Sequence, residues 1–266
     1  MNDLEKLRIV IRYEFLKHIR RRRLWIIMGL ALIVELAVLI LIPVLQDGYP
    51  DNVMIMAALL TFGPALAALG AVFFAGDAIA GEFENKTGFL LFTNPVKKLV
   101  LWSGKYLAGY IAVGLMIIFA YAIVTISLLV IYGEVPFETL KSFGLCMLYA
   151  GAVLSVTFFF SAVSKGSMGA TVITLVFIWV ISGILESVLG FTGNPYWFLI
   201  SAQGDSVALV YGGMEAFLGA FGGDGMASMM EGFEELNVGQ AAMGMVIYLV
   251  VGFVASVWIA GRRQLA

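Results

Sequence analysis

The chain has 266 residues, 61% of them hydrophobic and only 13% charged, about half the ~25% of an ordinary soluble domain. That balance excludes intrinsic disorder, a secreted disulfide scaffold and a cytosolic enzyme, since no water-solvated core of this size hides so much apolar surface. The net charge of −2 carries little by itself, and the single cysteine, Cys146, can form no internal disulfide.

Residues 1–23 read as an amphipathic helix. Leu4, Leu7, Ile11, Phe15 and Ile19 recur at spacings of three and four and form one stripe, with Lys6, Arg12, Lys17, Arg20, Glu5 and Glu14 among them. Such a helix suits the headgroup region, apolar side down and basic side toward anionic lipid. His18, the one histidine, reads as part of this charge pattern. One His and one Cys also exclude a multi-histidine or thiolate metal centre and a His-dependent membrane protease.

Six stretches then reach the ~20 apolar residues that a helix needs to cross ~30 Å of hydrocarbon. They lie at about 24–45, 53–76, 99–132, 140–163, 168–189 and 239–261, and the third is long enough to tilt or project. The first follows Arg20–Arg23 but is too long for a signal-peptide core and reads as a retained span. Glu35 sits near its middle, where a charge costs roughly 2.5–3.5 kcal/mol. It is a candidate translocation-path, proton or cation site; the alternative is an interhelical hydrogen bond to Thr125 or Ser127 that fixes packing. Residues 77–98, between spans two and three, mix charges with apolar residues and predict a short amphipathic helix. Asn94-Pro95 looks like a helix start. Residues 191–238 contain no Lys or Arg, carry six acids including Asp205, and are rich in Gly. Short helices on the outer membrane surface suit them, serving either as a cation-attracting vestibule or as a plain solvated loop.

Small residues tile span two (Gly63, Ala67, Ala71) and span six (Gly244, Gly252, Ser256, Ala260), as close helix packing in lipid requires. Trp25, Trp102, Trp197 and Trp258 fall near span ends, in the expected aromatic belt, and Trp179 lies deeper. With the N-terminus in the cytoplasm, every one of the 16 basic residues except Lys141 falls inside. The positive-inside bias therefore predicts both termini cytoplasmic.

The run Asp77-x4-Glu82-x-Glu84-x2-Thr87-x3-Leu91-x3-Pro95-x9-Lys105 resembles the signature region of type-2 ATP-binding-cassette (ABC) transporter permeases. Gly104-Lys105 matches that family's Gly-Lys at the start of span three. Lys86 stands where the family usually has Gly before Thr87, and Gly88 follows. The resemblance implies an all-α integral membrane fold: six transmembrane helices, an N-terminal connecting helix, and a cytoplasmic coupling helix between spans two and three. It implies that Asp77, Gly81, Glu82, Glu84, Lys86, Thr87, Pro95 and Lys105 couple the permease to a cytosolic ABC ATPase subunit. A second permease, in a homo- or heterodimer, completes the expected assembly in the plasma membrane, with no nucleic acid partner. The sequence contains no Gly-x4-Gly-Lys-Ser/Thr phosphate loop, so ATP and its hydrolysis are expected on the partner and no cofactor or catalysis on this chain. The expected function is the path-forming subunit of an exporter. The alternatives are a secondary transporter or channel using Glu35, and a membrane scaffold that moves nothing.

Overall fold

In the computed structural model, the described residues are 2–45, 47–85, 96–212 and 236–263; they are helical, without a strand among them. Helix α1 (Asp3–Arg20) starts on a capping box: the Asn2 side chain accepts from backbone N–H groups and the Glu5 carboxylate accepts from the Asn2 N–H. Asp3 and Glu5 in its first turn, and Lys17 and Arg20 in its last, complement the helix dipole. Extended backbone at Arg21 then turns the chain into α2 (Arg22–Leu45), the first span.

The second span is interrupted. It consists of α3 (Val53–Leu59) and α4 (Gly63–Ala75), followed by the short α5 (Ala80–Glu84). Pro64 causes the first break: it has no N–H to give, and its ring crowds the carbonyl four residues back. Leu60 and Thr61 instead bond tightly to the end of α3, and the Thr61 hydroxyl donates to Ala57 O at 2.7 Å. Irregular backbone at membrane depth must be enclosed by protein, and Met56, Leu60 and Gly63 are buried accordingly.

Four longer elements complete the bundle. Helix α6 (Lys98–Tyr132) has 35 residues, about 52 Å at 1.5 Å each, and so far exceeds the bilayer core. It ends at Gly133, whose φ of 74° is the left-handed conformation glycine supplies most readily. Helix α7 (Glu138–Val163) is the central element, packed on α4, α6 and, most extensively, α11 (Val238–Arg262). Span five is α8 (Ser167–Leu175), one wide π segment (Val176–Ile181) and α9 (Ser182–Phe191). Among the described residues, six elements are thus long and apolar enough to cross a membrane.

Helices gain little from hydrophobicity when lipid is the solvent, so close packing and buried hydrogen bonds must hold them. The small-residue rows do this inside the subunit. Gly63, Ala67 and Ala71 are buried in α4, and a Cβ on Gly252 would lie 3.0 Å from Ser155 of α7. The Tyr106 hydroxyl donates to Gly151 O at 2.9 Å and lies 3.0 Å from Ser155 Oγ. Outward faces are apolar, for example Ile26 and Ile33 on α2 and Val250 and Val254 on α11.

The segment after span five departs from expectation. Helix α10 (Ile200–Leu209) does not rest on a surface: Ala202, Gln203, Gly204, Ser206 and Val207 are buried against α7, α9 and α11. Its run of small residues admits it; Gly204 lies under the Tyr149 ring. Residues 213–235, with the remaining acids, fall outside the described residues. Trp102 also leaves the belt and is fully buried, whereas Trp25, Trp179 and Trp258 are exposed.

Candidate functional site

The five Lys and Arg residues around the α1–α2 junction, Lys17 and Arg20 to Arg23, together with Lys97, Lys98, Lys105 and Arg263, define a basic end of the bundle. The polar side chains there converge on α5. Two glycines make the convergence geometrically allowed. A Cβ on Gly104 would stand 2.5 Å from Val10, so glycine lets α1 lie directly on α6. A Cβ on Gly76 would stand 2.6 Å from Thr171 Oγ1, so glycine lets the α4–α5 turn touch α8.

With α1 against α6, Glu14 reaches Lys105. The Lys105 ammonium lies 2.8 Å from Glu14 and 2.6 Å from Glu82, with 3% of its side chain exposed. One cation thus ties the N-terminal helix, α5 and the third span together. Burial pushes the Glu14 carboxyl upward, but the charges and hydrogen bonds of Lys105 and Lys17 outweigh it and hold it below the ordinary value. Buried charges persist where their lone pairs and protons are matched, and the oxygens of these two acids surround Lys105 in this way.

The start of α5 has no capping side chain of its own. Ser161 of α7 supplies one: its hydroxyl accepts from Ile79 N–H at 3.1 Å and Ala80 N–H at 3.0 Å, and donates to Gly76 O at 2.8 Å. Asp77, in the same turn, pairs with Arg21 at 2.7 Å. Gly81 lies over Asp77, and its carbonyl accepts from the Asn85 side chain at 2.9 Å. At the other end of α5, the Glu84 carboxylate accepts from Ser167 N–H at 2.8 Å and its hydroxyl at 2.6 Å. It thereby caps α8 and meets the positive end of that helix dipole.

Phe83 is held between two partners, stacked on Trp102 with centroids 6.5 Å apart and lying 4.6 Å beneath the Arg263 guanidinium. Arg263 also donates to Ala162 O at 2.9 Å and Ser164 O at 2.8 Å, satisfying carbonyls left open at the end of α7. The chain's last helix is therefore pinned to the same point.

The structure brings Asp77, Gly81, Glu82, Glu84 and Lys105 together. Lys86, Thr87 and Pro95 lie outside the described residues. Glu35 is elsewhere, thirteen residues and about 20 Å along α2. It is fully buried, and neither carboxyl oxygen has a hydrogen-bond partner among the described residues. Thr125 is turned instead to Tyr121 O of its own helix, at 2.7 Å.

Sequence reasoning missed Glu14, Arg21, Ser161, Ser167 and Arg263 as members of the site. A signal existed for Glu14, since it shares a helical face with Leu7, Ile11 and His18. None existed for Ser161 or Arg263, whose roles depend on tertiary contact. His18 departs from its expected place in the charge pattern: it is 4% exposed and packs edge-on against Phe74 at 5.0 Å. Burial lowers its pKa to about 4, so the ring is neutral near pH 7. Of the expected stripe Leu4 is exposed while Leu7, Ile11, Phe15 and Ile19 are partly buried, and the other exposed large apolar residues of α1 are Ile9, Tyr13 and Leu16.

Six spanning elements, a broken second span and a charge cluster gathered at one end define a multi-pass helical membrane protein whose polar machinery lies at the edge of the bilayer. Among families of such proteins, a model described as "ABC-2 family transporter protein" matches residues 10–181, and the chain belongs to that family. It is therefore an ABC transporter permease subunit, a membrane transport component whose family implies association with an ATP-binding subunit. The matched region contains α1 from Val10 onward, the α5 cluster apart from Arg263, four whole spans and the first part of the fifth. No curated protein matches the chain.

Proposed function

We propose that this chain forms the path of an exporter and receives motion from a separate cytosolic ATPase through residues 77–98, with both termini in the cytoplasm of a plasma-membrane protein. The observation that supports this most is Lys105 shared between Glu14 and Glu82. Force applied to α5 through this cation would reach α1 and α6, through Glu84 it would reach α8, and through Phe83 and Arg263 the ends of α7 and α11. A loop resting passively on the membrane needs no such wiring. A second permease, in a homo- or heterodimer, would supply the other half of the path, and ATP would act only on the partner ATPase.

The test is site-directed photocrosslinking from Glu84 and Lys86 in the assembled complex. Capture of a nucleotide-binding subunit is the expected result; a complex in which neither position touches one, or hydrolysis by this chain alone, would overturn the reading.

Glu35 supports a second element of the proposal. A buried carboxyl with neither oxygen bonded among the described residues is a group that another conformation would have to satisfy. We place it on the path exposed when the spans move. Glu35→Gln should then change transport while leaving assembly intact; unchanged transport in both Glu35→Gln and Glu35→Ala assigns the residue to packing alone.

A further inference from the structure

Span five is divided by its π segment, and its two halves are held differently. The half nearer the basic end, α8, packs on α4, α5 and α7. The far half, the π segment and α9, packs chiefly on α10. Helices bend readily at π segments, so the position of the far half depends on that contact. Two polar rungs make it. Residues 192–199 carry the chain back along α9, and α10 then runs beside α9 in the same direction. The Ser201 N–H donates to Ser182 Oγ at 3.1 Å, and the two hydroxyls lie 2.8 Å apart. One turn further along both helices, the carboxyls of Glu186 and Asp205 are hydrogen-bonded to each other.

An ionised carboxylate can only accept, so this bond exists only while the pair holds a proton. No cation substitutes for it. The sequence has no Lys or Arg between Lys165 and Arg262, and Lys141, at the start of α7, is paired with Glu138. Tyr149 of α7 is buried and close enough to both acids to feel their charge, but it brings no positive charge of its own. Neither α3, α4 nor the π segment has a titratable side chain, and those of α11, Tyr248 and Arg262, lie well beyond its first turns. Asp205 keeps an exposed edge and Glu186 is partly buried, so a proton can enter and leave. Loss of surrounding water, then the charge and hydrogen bond of Glu186, push the Asp205 carboxyl up to about 7.

We propose that Glu186 and Asp205 form a proton-operated latch. One shared proton holds the far half of span five on α10; its loss to water leaves two adjacent carboxylates, whose repulsion releases α9, with the π segment as hinge. Ser142 of α7 donates to Val207 O at 2.9 Å, so α10 stays on the bundle and α9 is the part that moves. The closed contact holds its proton more tightly than an isolated Asp does. It is therefore favoured at low pH, weakens as pH rises, and has lost that advantage above about 7. The latch rests on this pairing alone, not on the exporter reading or on any ATPase.

The experiment is electron–electron double resonance on the full-length protein in lipid nanodiscs. Spin labels go on Val188→Cys of α9 and Leu140→Cys of α7, both exposed positions, with the buried Cys146 replaced by Ala. The otherwise unaltered chain should give one short distance at pH 5 and a longer one that grows toward pH 8. The closed-to-open ratio should fall by about tenfold or more, since each pH unit of tighter proton binding is worth a factor of ten. Asp205→Asn and Glu186→Gln each keep a hydrogen bond and remove one charge, so each should hold the pH 5 distance at pH 8. Tyr149→Phe should respond as the unaltered pair does. A distance that stays the same between the two pH values overturns the proposal. So does a change that persists in both amide variants, or one that Tyr149→Phe removes, since either places the titrating group elsewhere.

Discussion

Lys105 is the side chain on which the basic end depends, because it is buried and its neighbours are charged. Removing one partner from a buried ion group leaves the others uncompensated, at a cost of about 3–5 kcal/mol. Lys105→Met should therefore lower the melting temperature of the purified chain sharply. Adding Glu14→Gln and Glu82→Gln to Lys105→Met should recover much of the loss; a triple variant as unstable as the single one would show that packing, not charge, is at stake. His18 gives a second residue-scale prediction. Its pKa is lowered on folding, so the unfolded chain binds a proton first as pH falls through about 6.5. The stability present at neutral pH is then lost toward pH 4, reaching roughly 2 kcal/mol by pH 5. Melting curves at pH 7 and 5 should diverge for wild type and much less for His18→Leu.

Among the elements, α5 has only five residues and no cap of its own, so its position is borrowed from neighbours. Ser161→Ala would strand two N–H groups and one carbonyl in a buried place, a loss of about 1–3 kcal/mol per group left unsatisfied. Hydrogen exchange should then quicken at Ile79 and Ala80 while the centre of α7 stays protected. Gly104→Leu should lift α1 from α6, and trimming the opposing side chain, Val10→Ala, should restore part of the contact. Protease access to residues 3–20 would report both. At this scale the limits of sequence are also clearest. The spans were legible because apolar length is a local property, and the α4–α5 signature because its residues are close in the chain. The inward face of α1 was not, since Ile9-Tyr13-Leu16 and Leu7-Ile11-Phe15 are stripes of the same helix, and only the α6 surface decides which one turns inward. The Pro64 break was written in the sequence and passed unnoticed within a long apolar run. The placement of α10 was hidden for another reason: Gly and Ala read as a loop until Tyr149 and α11 are there to pack on them.

For the whole molecule, the six candidate spans among the described residues make the parity even, so the two ends are expected to face the same compartment. Reporter domains on long linkers at residues 1 and 266 should give the same sidedness signal, and opposite signals would require an odd count. The basic end and the membrane-depth residue Glu35 are separated by about 20 Å of helix. Variants at Lys105 and Glu35 should therefore combine additively in stability, because they share no partner; a coupling beyond about 0.5 kcal/mol would reveal rearrangement between them.

The position of Arg263 has a practical consequence. The guanidinium that covers Phe83 and closes α7 belongs to the residue directly after α11. An affinity handle or fluorescent protein inserted directly after Arg263 without a spacer would begin at that clasp and strain it. Complexes assembled from such chains should show altered nucleotide turnover by the partner ATPase, and inserting a flexible stretch before the fusion should return it to that of the complex with the untagged chain.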